Sequence, residues 1–304
     1  MKALACRGDG TPAVDMLEVE EPSPAPDEVV VEVAAASVNR GELRLLAARP
    51  AGWRPGQDVA GVVVEAAADG SGPPVGSRVV AWVDQAGWSQ RTVARTHRVA
   101  TLADDVPFTQ GATLPVAGMT ALRALREGPD LLGRRVLVTG AAGGVGRLAV
   151  ELAAVGGARV TAVAHDEERG RGLEELGAGH VVHDITRAAG PFDLILESAG
   201  GDSLEAAFGL AAHSGTVVVF GNSSGEPSSF TFRDFAQRPV RVSVFFVYQS
   251  GEPFGPDLQL LADLVADGRL HPQVGLEVPW TEAESAFAAL ADRRVNGKAI
   301  LRMD

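Results

Sequence analysis

Apolar and polar positions follow two regimes along this chain. From Met1 to about Val116 the apolar stretches are short, β-branched and punctuated by Pro and Gly: MKALACR, the proline-rich link EPSPAP, then EVVVEVAAASV, GVVVEAAA, SRVVAWV and QRTVARTHRVATL. Alternation of Val with acids in EVVVEVAAASV predicts a half-buried strand, and the Gly, Pro and Asp clusters between runs predict turns. These pieces predict a β-rich domain of the barrel kind. From Pro107 the pattern changes, and GATLPVAGMTALRALREG marks the passage into helix. Between Gly118 and about Val247 strand and helix patterns alternate. RVLVTG, RVTAVAH, HVVHD, FDLILESAG, TVVVFG and VRVSVFFVY read as strands. The segment after the glycine turn, ERGRGLEELG up to Leu176, DSLEAAFGLA and the short FRDFAQ read as helices. Such alternation predicts right-handed crossovers and a doubly wound parallel sheet. The segment Asp257 to Arg302 predicts helix, strand, helix and a closing strand KAILRM, returning to the first domain. The expected division is 1–116 with 248–304 as the β-rich domain and 117–247 as the α/β domain.

The α/β domain is organised around VLVTGAAGGVG, Val136 to Gly146, followed by RLAVELAAVGGARVTAVAHD. Val136, Leu137 and Val138 form an apolar run without polar alternation, as suits a parallel strand covered on both faces. After the turn, Val145, Leu148, Ala149, Leu152 and Ala153 recur at steps that lay one apolar stripe on a sheet. Gly140, Gly143, Gly144 and Gly146 let the chain reverse and bring backbone amides to the positive end of the helix, where a pyrophosphate is stabilised. The amides of Ala142, Gly143, Gly144 and Val145 are the expected donors. Read from Ala141 the pattern is A-A-G-G-V-G, so the first glycine of the common fingerprint is an alanine. Strand before, helix after and a second strand at the right distance make the segment a dinucleotide site.

Which dinucleotide is decided at the tip of the second strand. An acid placed roughly 20 residues past the glycines accepts hydrogen bonds from a ribose 2′-hydroxyl; here the tip is Ala164 and His165. Asp166 to Glu168 fit the first turn of the next helix, where carboxylates favour the dipole. Arg169 is within reach of the same pocket, and pairing it with a 2′-phosphate would contribute about 1.5 to 3 kcal/mol. NADPH is therefore the expected cofactor, the alternative being that Arg169 is an ordinary solvated residue.

Composition narrows the partners. With 27 basic and 39 acidic residues the net charge is −12, which disfavours nucleic acid and anionic membrane surfaces. No apolar run approaches the roughly 20 residues of a membrane span, and MKALACRGDG lacks a signal-peptide core, so a cytoplasmic protein is expected. Cys6 is the only cysteine, which excludes intrachain disulfides and a multi-thiolate zinc site. His180 and His183 are three apart but have no third ligand nearby, and no metal is expected.

PVAGMTAL, VLVTGAAGGVGRLAVELA, LEELGAGHVV, FDLILESAGG, VVVFGNSSG and NGKAIL occur in this order. Together they resemble the medium-chain dehydrogenase/reductase superfamily, and within it the zinc-free quinone oxidoreductase (zeta-crystallin-like) branch. The resemblance covers nearly the whole chain. It implies a GroES-like catalytic domain built from both termini, a Rossmann domain between them, NADPH in the cleft, and a homodimer paired through the last Rossmann strand, Arg241 to Val247. In the metal-dependent branch a cysteine follows the second strand and a Gly-His-Glu follows later. Those places here read Ala36-Ser37-Val38-Asn39 and Gly56-Gln57-Asp58, so hydride delivery to an electrophilic acceptor, a quinone or enone, is expected in place of Lewis-acid chemistry. Two family tyrosines are missing: one place reads Gly41-Glu42-Leu43-Arg44, the other Asp184.

Matched residue by residue, the resemblance gives Asn39 an amide hydrogen bond to the nicotinamide ribose or the acceptor carbonyl, and Thr120 a place facing the nicotinamide. Asn296, Gly297 and Lys298 match the closing motif near the same end, and Phe246 and Val247 flank either the nicotinamide or the dimer seam. By topology Ser198, Ala199 and Gly200, with Phe220, Gly221 and Asn222, line the groove at the strand ends. Each has a plainer reading: Asn39 as a turn former, Thr120 as a helix-start hydroxyl, the strand ends as simple turns. Trp53, Trp82 and Trp88 either shape an acceptor pocket or belong to the core. Rival activities are an enoyl reductase serving one pathway and an NADPH-binding sensor or structural dimer that does not catalyse.

Overall fold

A computed structural model describes residues 1–237 and 239–303. The chain divides into two units, Met1–Met119 with Gly251–Asp304, and Thr120–Ser250. No helix among the described residues is long and apolar enough to cross a membrane.

The middle unit is a six-stranded sheet in the order Ala178–Val182, Arg159–Val163, Arg135–Val138, Phe192–Glu197, Ala211–Val219, Arg241–Val244. Every pairing in it is parallel. This is the predicted doubly wound topology, and its order reverses between Arg135–Val138 and Phe192–Glu197, the place where such sheets take ligands. Val136, Leu137 and Val138 are fully buried, as their unbroken apolar run requires. The helix Gly144–Val155 buries Leu148, Ala149, Leu152 and Ala153, four of the five stripe residues, while Val145 is half-buried at its start.

Two elements of this unit differ from expectation. The helix after the second strand is only Glu167–Gly170 and does not reach Leu176. Gly172 stands at φ +78°, and a Cβ there would meet Arg147 Nη2 at 2.8 Å; Arg147 reaches across to donate both Nη1 and Nη2 to the Arg171 carbonyl at 3.2 Å. That long-range contact holds the segment in turns despite its helical composition. The last strand stops at Val244, short of Val247, and Val247–Gln249 is a 3-10 turn.

In the other unit, a seven-stranded sheet runs Val274–Pro279, Lys298–Arg302, Glu28–Val38, Asp58–Glu65, Arg78–Trp82, Val99–Thr101, with Arg91–Arg95 also pairing with Glu28–Val38. All pairings but the first are antiparallel. Glu28–Val38 is more buried than its Val–acid alternation predicts. Arg91–Arg95 flanks its first half and Lys298–Arg302 its second, opposite Asp58–Glu65, and register shifts bend it. Its core gathers Val29, Val31, Leu46, Val59, Trp88, Phe287 and Leu301. Trp82 and Trp88 are core residues, stacked on Phe254 and Phe287 at 4.4 and 5.3 Å, which settles them as packing. Val14–Glu18 and the helix Arg40–Ala48 are additional to the expected elements.

Candidate functional site

In the middle unit the carboxyl ends of the two central strands are tied together by one side chain. Strand Phe192–Glu197 is apolar until its last residue, and Glu197 is fully buried. Its Oε1 accepts from the Thr139 hydroxyl (3.2 Å), the Ala199 N–H (2.9 Å) and the Ser203 hydroxyl (3.0 Å), and the Gly200 N–H reaches Oε2 at 3.0 Å. Thr139 in turn accepts from the Ser198 N–H at 2.9 Å, so the glycine turn and the Ser198-Ala199-Gly200 turn are joined side by side. The next rim segment joins them: Ser223 and Ser224 donate their N–H groups to the Ser198 and Ala199 carbonyls at 2.9 and 2.8 Å. Phe220 donates to the Glu197 carbonyl at 2.9 Å, Gly221 lies against Ser198, and Asn222 lies against Gly200. Glu197 and Thr139 were not singled out from the sequence. The available signal was an acid closing an otherwise apolar strand.

The glycine turn is shaped by backbone contact. Gly140 takes φ +59°, and a Cβ on Gly146 would lie 2.3 Å from the Gly140 carbonyl oxygen and 2.7 Å from Ala141 Cα. Only glycine lets the helix start so close to the turn. Gly143 donates its N–H to the Gly140 carbonyl at 3.0 Å, which removes it from the expected amide donors. The first intrahelical bond is Arg147 N–H to the Gly143 carbonyl, so the amides of Gly144 and Val145 begin the helix without intrahelical acceptors and fit an anionic diphosphate. Ala142 is buried just before them.

At the tip of the adjacent strand Ala164 is buried and His165 exposed. Asp166 caps the short helix, its Oδ1 accepting the Arg169 N–H at 2.8 Å, so this acid serves the helix as expected, and Arg169 is half-buried beside it. Thr120 is buried in the helix Met119–Arg126, Phe246 is exposed and Val247 buried.

The second cluster lies in the other unit, where register assembles it. Ser37 pairs with Asp58 and Val38 with Ala299, which brings Asn39, Asp58 and Lys298 to the same end of three neighbouring strands. Lys298 Nζ donates to Asn39 Oδ1 at 2.5 Å and to Asp58 Oδ2 at 3.2 Å. Asn39 Nδ2 and the Ser37 hydroxyl donate to the same Asp58 oxygen at 2.8 and 2.5 Å, and the Val116 N–H reaches Asp58 Oδ1 at 2.9 Å. Asn39 also opens the helix Arg40–Ala48, its N–H donating to Glu42 Oε2 at 2.8 Å. The amide expected to face a ribose or acceptor is thus partly taken: a carboxamide has two N–H donors, and one of them serves Asp58. Of the closing motif, Lys298 joins this cluster. Gly297 turns at φ +88° against Gln273, and the Asn296 carbonyl oxygen Oδ1 is buried without a hydrogen-bond partner.

These donors do not suit a zinc ion. The oxygens of Asn39 and Asp58 already hold an ammonium, Cys6 Sγ is turned to the Leu46 carbonyl at 2.9 Å, and no group of three His, Cys, Asp or Glu able to hold a metal occurs among the described residues. His180 and His183 are both exposed.

Residues 25–121 match the alcohol dehydrogenase GroES-like domain and residues 144–263 the zinc-binding dehydrogenase domain. The chain is 28% identical to a chloroplastic quinone-oxidoreductase homolog of Spinacia oleracea, covering 97% of this chain and 95% of that protein. It is 32% identical over 92% of its length to a segment making up 13% of the spectinabilin polyketide synthase system protein NorB of Streptomyces orinoci. The structure of Escherichia coli quinone oxidoreductase complexed with NADPH has the same fold, with a TM-score of 0.88, 21% identity and full coverage of both chains.

Proposed function

Since the chain belongs to the medium-chain dehydrogenase/reductase superfamily, in its quinone oxidoreductase branch, we propose that it is an NADPH-dependent oxidoreductase that reduces a quinone or an α,β-unsaturated carbonyl without a metal ion. The observation that carries this reading is the glycine turn at the reversal point of the parallel sheet, packed so closely at Gly146 that a diphosphate can approach the helix amides. The Escherichia coli relative, complexed with NADPH, supports the choice of cofactor. Bound there, the nicotinamide would supply the hydride.

The chain's own residues have the remaining work. Gly144, Val145 and the buried Ala142 hold the diphosphate; Ser198, Ala199, Gly200, Phe220, Gly221 and Asn222 form the rim. Gly140 sets the turn, and His165 and Arg169 meet the adenosine end, where Arg169 selects the 2′-phosphate. Asn39 orients the acceptor side with its remaining amide hydrogen, held in place by Asp58 and Lys298. In the middle unit Thr120, Phe246 and Val247 serve the nicotinamide end, and in the other unit Asn296 and Gly297 hold the closing motif beside Lys298. The ammonium of Lys298 supplies the positive charge that a metal would otherwise bring to Asp58.

A homodimer is part of the same proposal. Strand Arg241–Val244 ends the sheet, Val242 and Val244 are exposed along it and Phe246 and Tyr248 just beyond it, an apolar edge that pairing with a second copy would cover. Sedimentation as a monomer at micromolar concentration would refute it. A second reading, an enoyl reductase acting on one enone, is favoured by the match to a segment of a polyketide synthase. Following NADPH oxidation against a panel of quinones and enones separates the two: broad turnover supports the first, turnover of a single enone the second. Calorimetry showing no uptake of NADPH or NADH would end both.

A further inference from the structure

Glu42 is a buried acid that the reading above leaves without a task. It is 1% exposed, sits in the first turn of the helix Arg40–Ala48, and uses one oxygen only: Oε2 accepts the Asn39 N–H, while Oε1 is buried with no partner. Beside it Asp58 receives four donors, from Ser37, Asn39, Lys298 and Val116. Two buried carboxylates therefore share one buried ammonium. If both were ionised the cluster would carry a net negative charge with a bare anionic oxygen inside the protein, an arrangement that desolvation forbids. The donor count points to Glu42 as the acid that keeps a proton, since a buried carboxyl oxygen that no donor serves disfavours the anion.

We propose that Glu42 is a positioning residue that stores a proton: as a neutral acid it keeps Asn39, Asp58 and Lys298 in their observed arrangement, and its ionisation disrupts that arrangement. Burial, and next the charge of Asp58, push Glu42 up to about 8, against the opposing pulls of the Asn39 N–H and the Lys298 ammonium. Asp58 and Lys298 are the charged groups acting on it from the neighbouring strands. Arg40 and Arg44 of its own helix are exposed, as is Glu284 of the helix Ala283–Ala291 packed alongside. Ionisation leaves Oε1 an unpaired anion, which competes with Asp58 and Asn39 for the ammonium. Asn39 then loses the partner on its carbonyl oxygen, and the helix start it caps loses its reference.

The test has one arm in the native protein and one in a variant. With glutamate carboxyl carbons labelled with carbon-13, one resonance is expected to titrate near 8 and to be missing in Glu42→Gln; titration of every glutamate below about 6 would overturn the proposal. This arm needs neither cofactor nor turnover, so it stands or falls apart from the proposed reductase activity. The activity arm rests on that function. The native kcat/KM is expected to fall roughly 10-fold from about pH 7 to about pH 9, as for one ionisation, and the ratio of the two values is expected to approach one in Glu42→Gln. An unchanged ratio, or a folded variant without activity at any pH, would overturn it. Stability gives a third reading. The folded chain holds a proton that the unfolded chain gives up at an ordinary 4.5, so native stability is expected to fall as pH rises from about 4.5 to about 8, and Glu42→Gln to lack that slope.

Discussion

Replacing Glu197 by Gln changes one atom and should loosen the whole rim of the middle unit. The amide nitrogen is disfavoured in the place of Oε1, where it would meet the Ala199 N–H, which can only donate, and would require the Thr139 and Ser203 hydroxyls to turn from donors into acceptors. It therefore takes the place of Oε2, where it faces only the Gly200 N–H at 3.0 Å. That N–H can still reach the remaining oxygen, but at 3.3 Å. A repelled buried donor costs about 1 to 3 kcal/mol, and each bond that loses a charged acceptor weakens by about 1 kcal/mol. Relief from burying an anion offsets part of this, leaving a net loss of about 2 to 3 kcal/mol. Glu197→Ala would remove the acceptor of the Thr139 and Ser203 hydroxyls and of the Ala199 and Gly200 N–H groups and cost about 4 to 6 kcal/mol, close to the full stability of many domains, which makes Gln the informative variant.

The consequence for binding follows from what Glu197 joins. Its partners lie in the glycine turn and in the Ser198-Ala199-Gly200 turn, so loosening both should weaken NADPH binding about 10-fold or more, while kcat at saturating cofactor stays within about 3-fold. Urea unfolding and a fluorescence titration with NADPH measure the two effects. A Glu197→Gln protein with native stability and native affinity would refute the claim that this carboxylate holds the rim together.

Gly146→Ala should abolish tight NADPH binding and destabilise by about 2 to 4 kcal/mol, because the added methyl meets backbone atoms that cannot rotate away; a titration giving native affinity would contradict this. Arg169→Ala should raise the Kd for NADPH about 10- to 100-fold and leave that for NADH within about 2-fold, and equal changes for both would remove Arg169 from cofactor selection. Lys298→Met should cost about 3 to 5 kcal/mol by leaving Asp58 without its ammonium, and adding Asp58→Asn should return part of it; additive losses in the double variant would show that the pair is not coupled.

The middle unit was legible because its signals are local. An apolar strand, a glycine turn and a stripe repeating at helical steps all fall within Val136 to Ala153, and the alternation that follows indicates a doubly wound parallel sheet. Reading failed where a distant residue overrode local preference. Arg171 to Leu176 has the composition of a helix, yet the Arg171 carbonyl is held by Arg147, 24 residues away, and Gly172 takes a conformation that helices do not use. The helix Arg40–Ala48 shows the reverse failure. Asn39 followed three residues later by Glu42 is a helix-start pattern, visible in the sequence but hidden behind the reading of Asn39 as a loop residue.

The cluster around Asp58 lay beyond local reading for a different reason. From the sequence Asn39 and Lys298 were separate candidates and Gly56-Gln57-Asp58 only a place lacking metal ligands; their meeting was hidden because Lys298 stands 259 residues from Asn39 and 240 from Asp58. Nothing within a window of the chain indicates that a lysine near the end will enter that pocket; strand register brings it there, through the pairing of Ala299 with Val38. Once it is there, the chemistry of the pocket is constrained. An ammonium already shared between Asn39 and Asp58 can balance one carboxylate, and Glu42 is the second, with an oxygen that no donor serves. With a single ammonium among two buried carboxylates, Glu42 is the acid that the proposal leaves protonated. Replacing Lys298 with an uncharged side chain should accordingly move Glu42 further upward, which the same carbon-13 titration would show; a downward move would break the link between them.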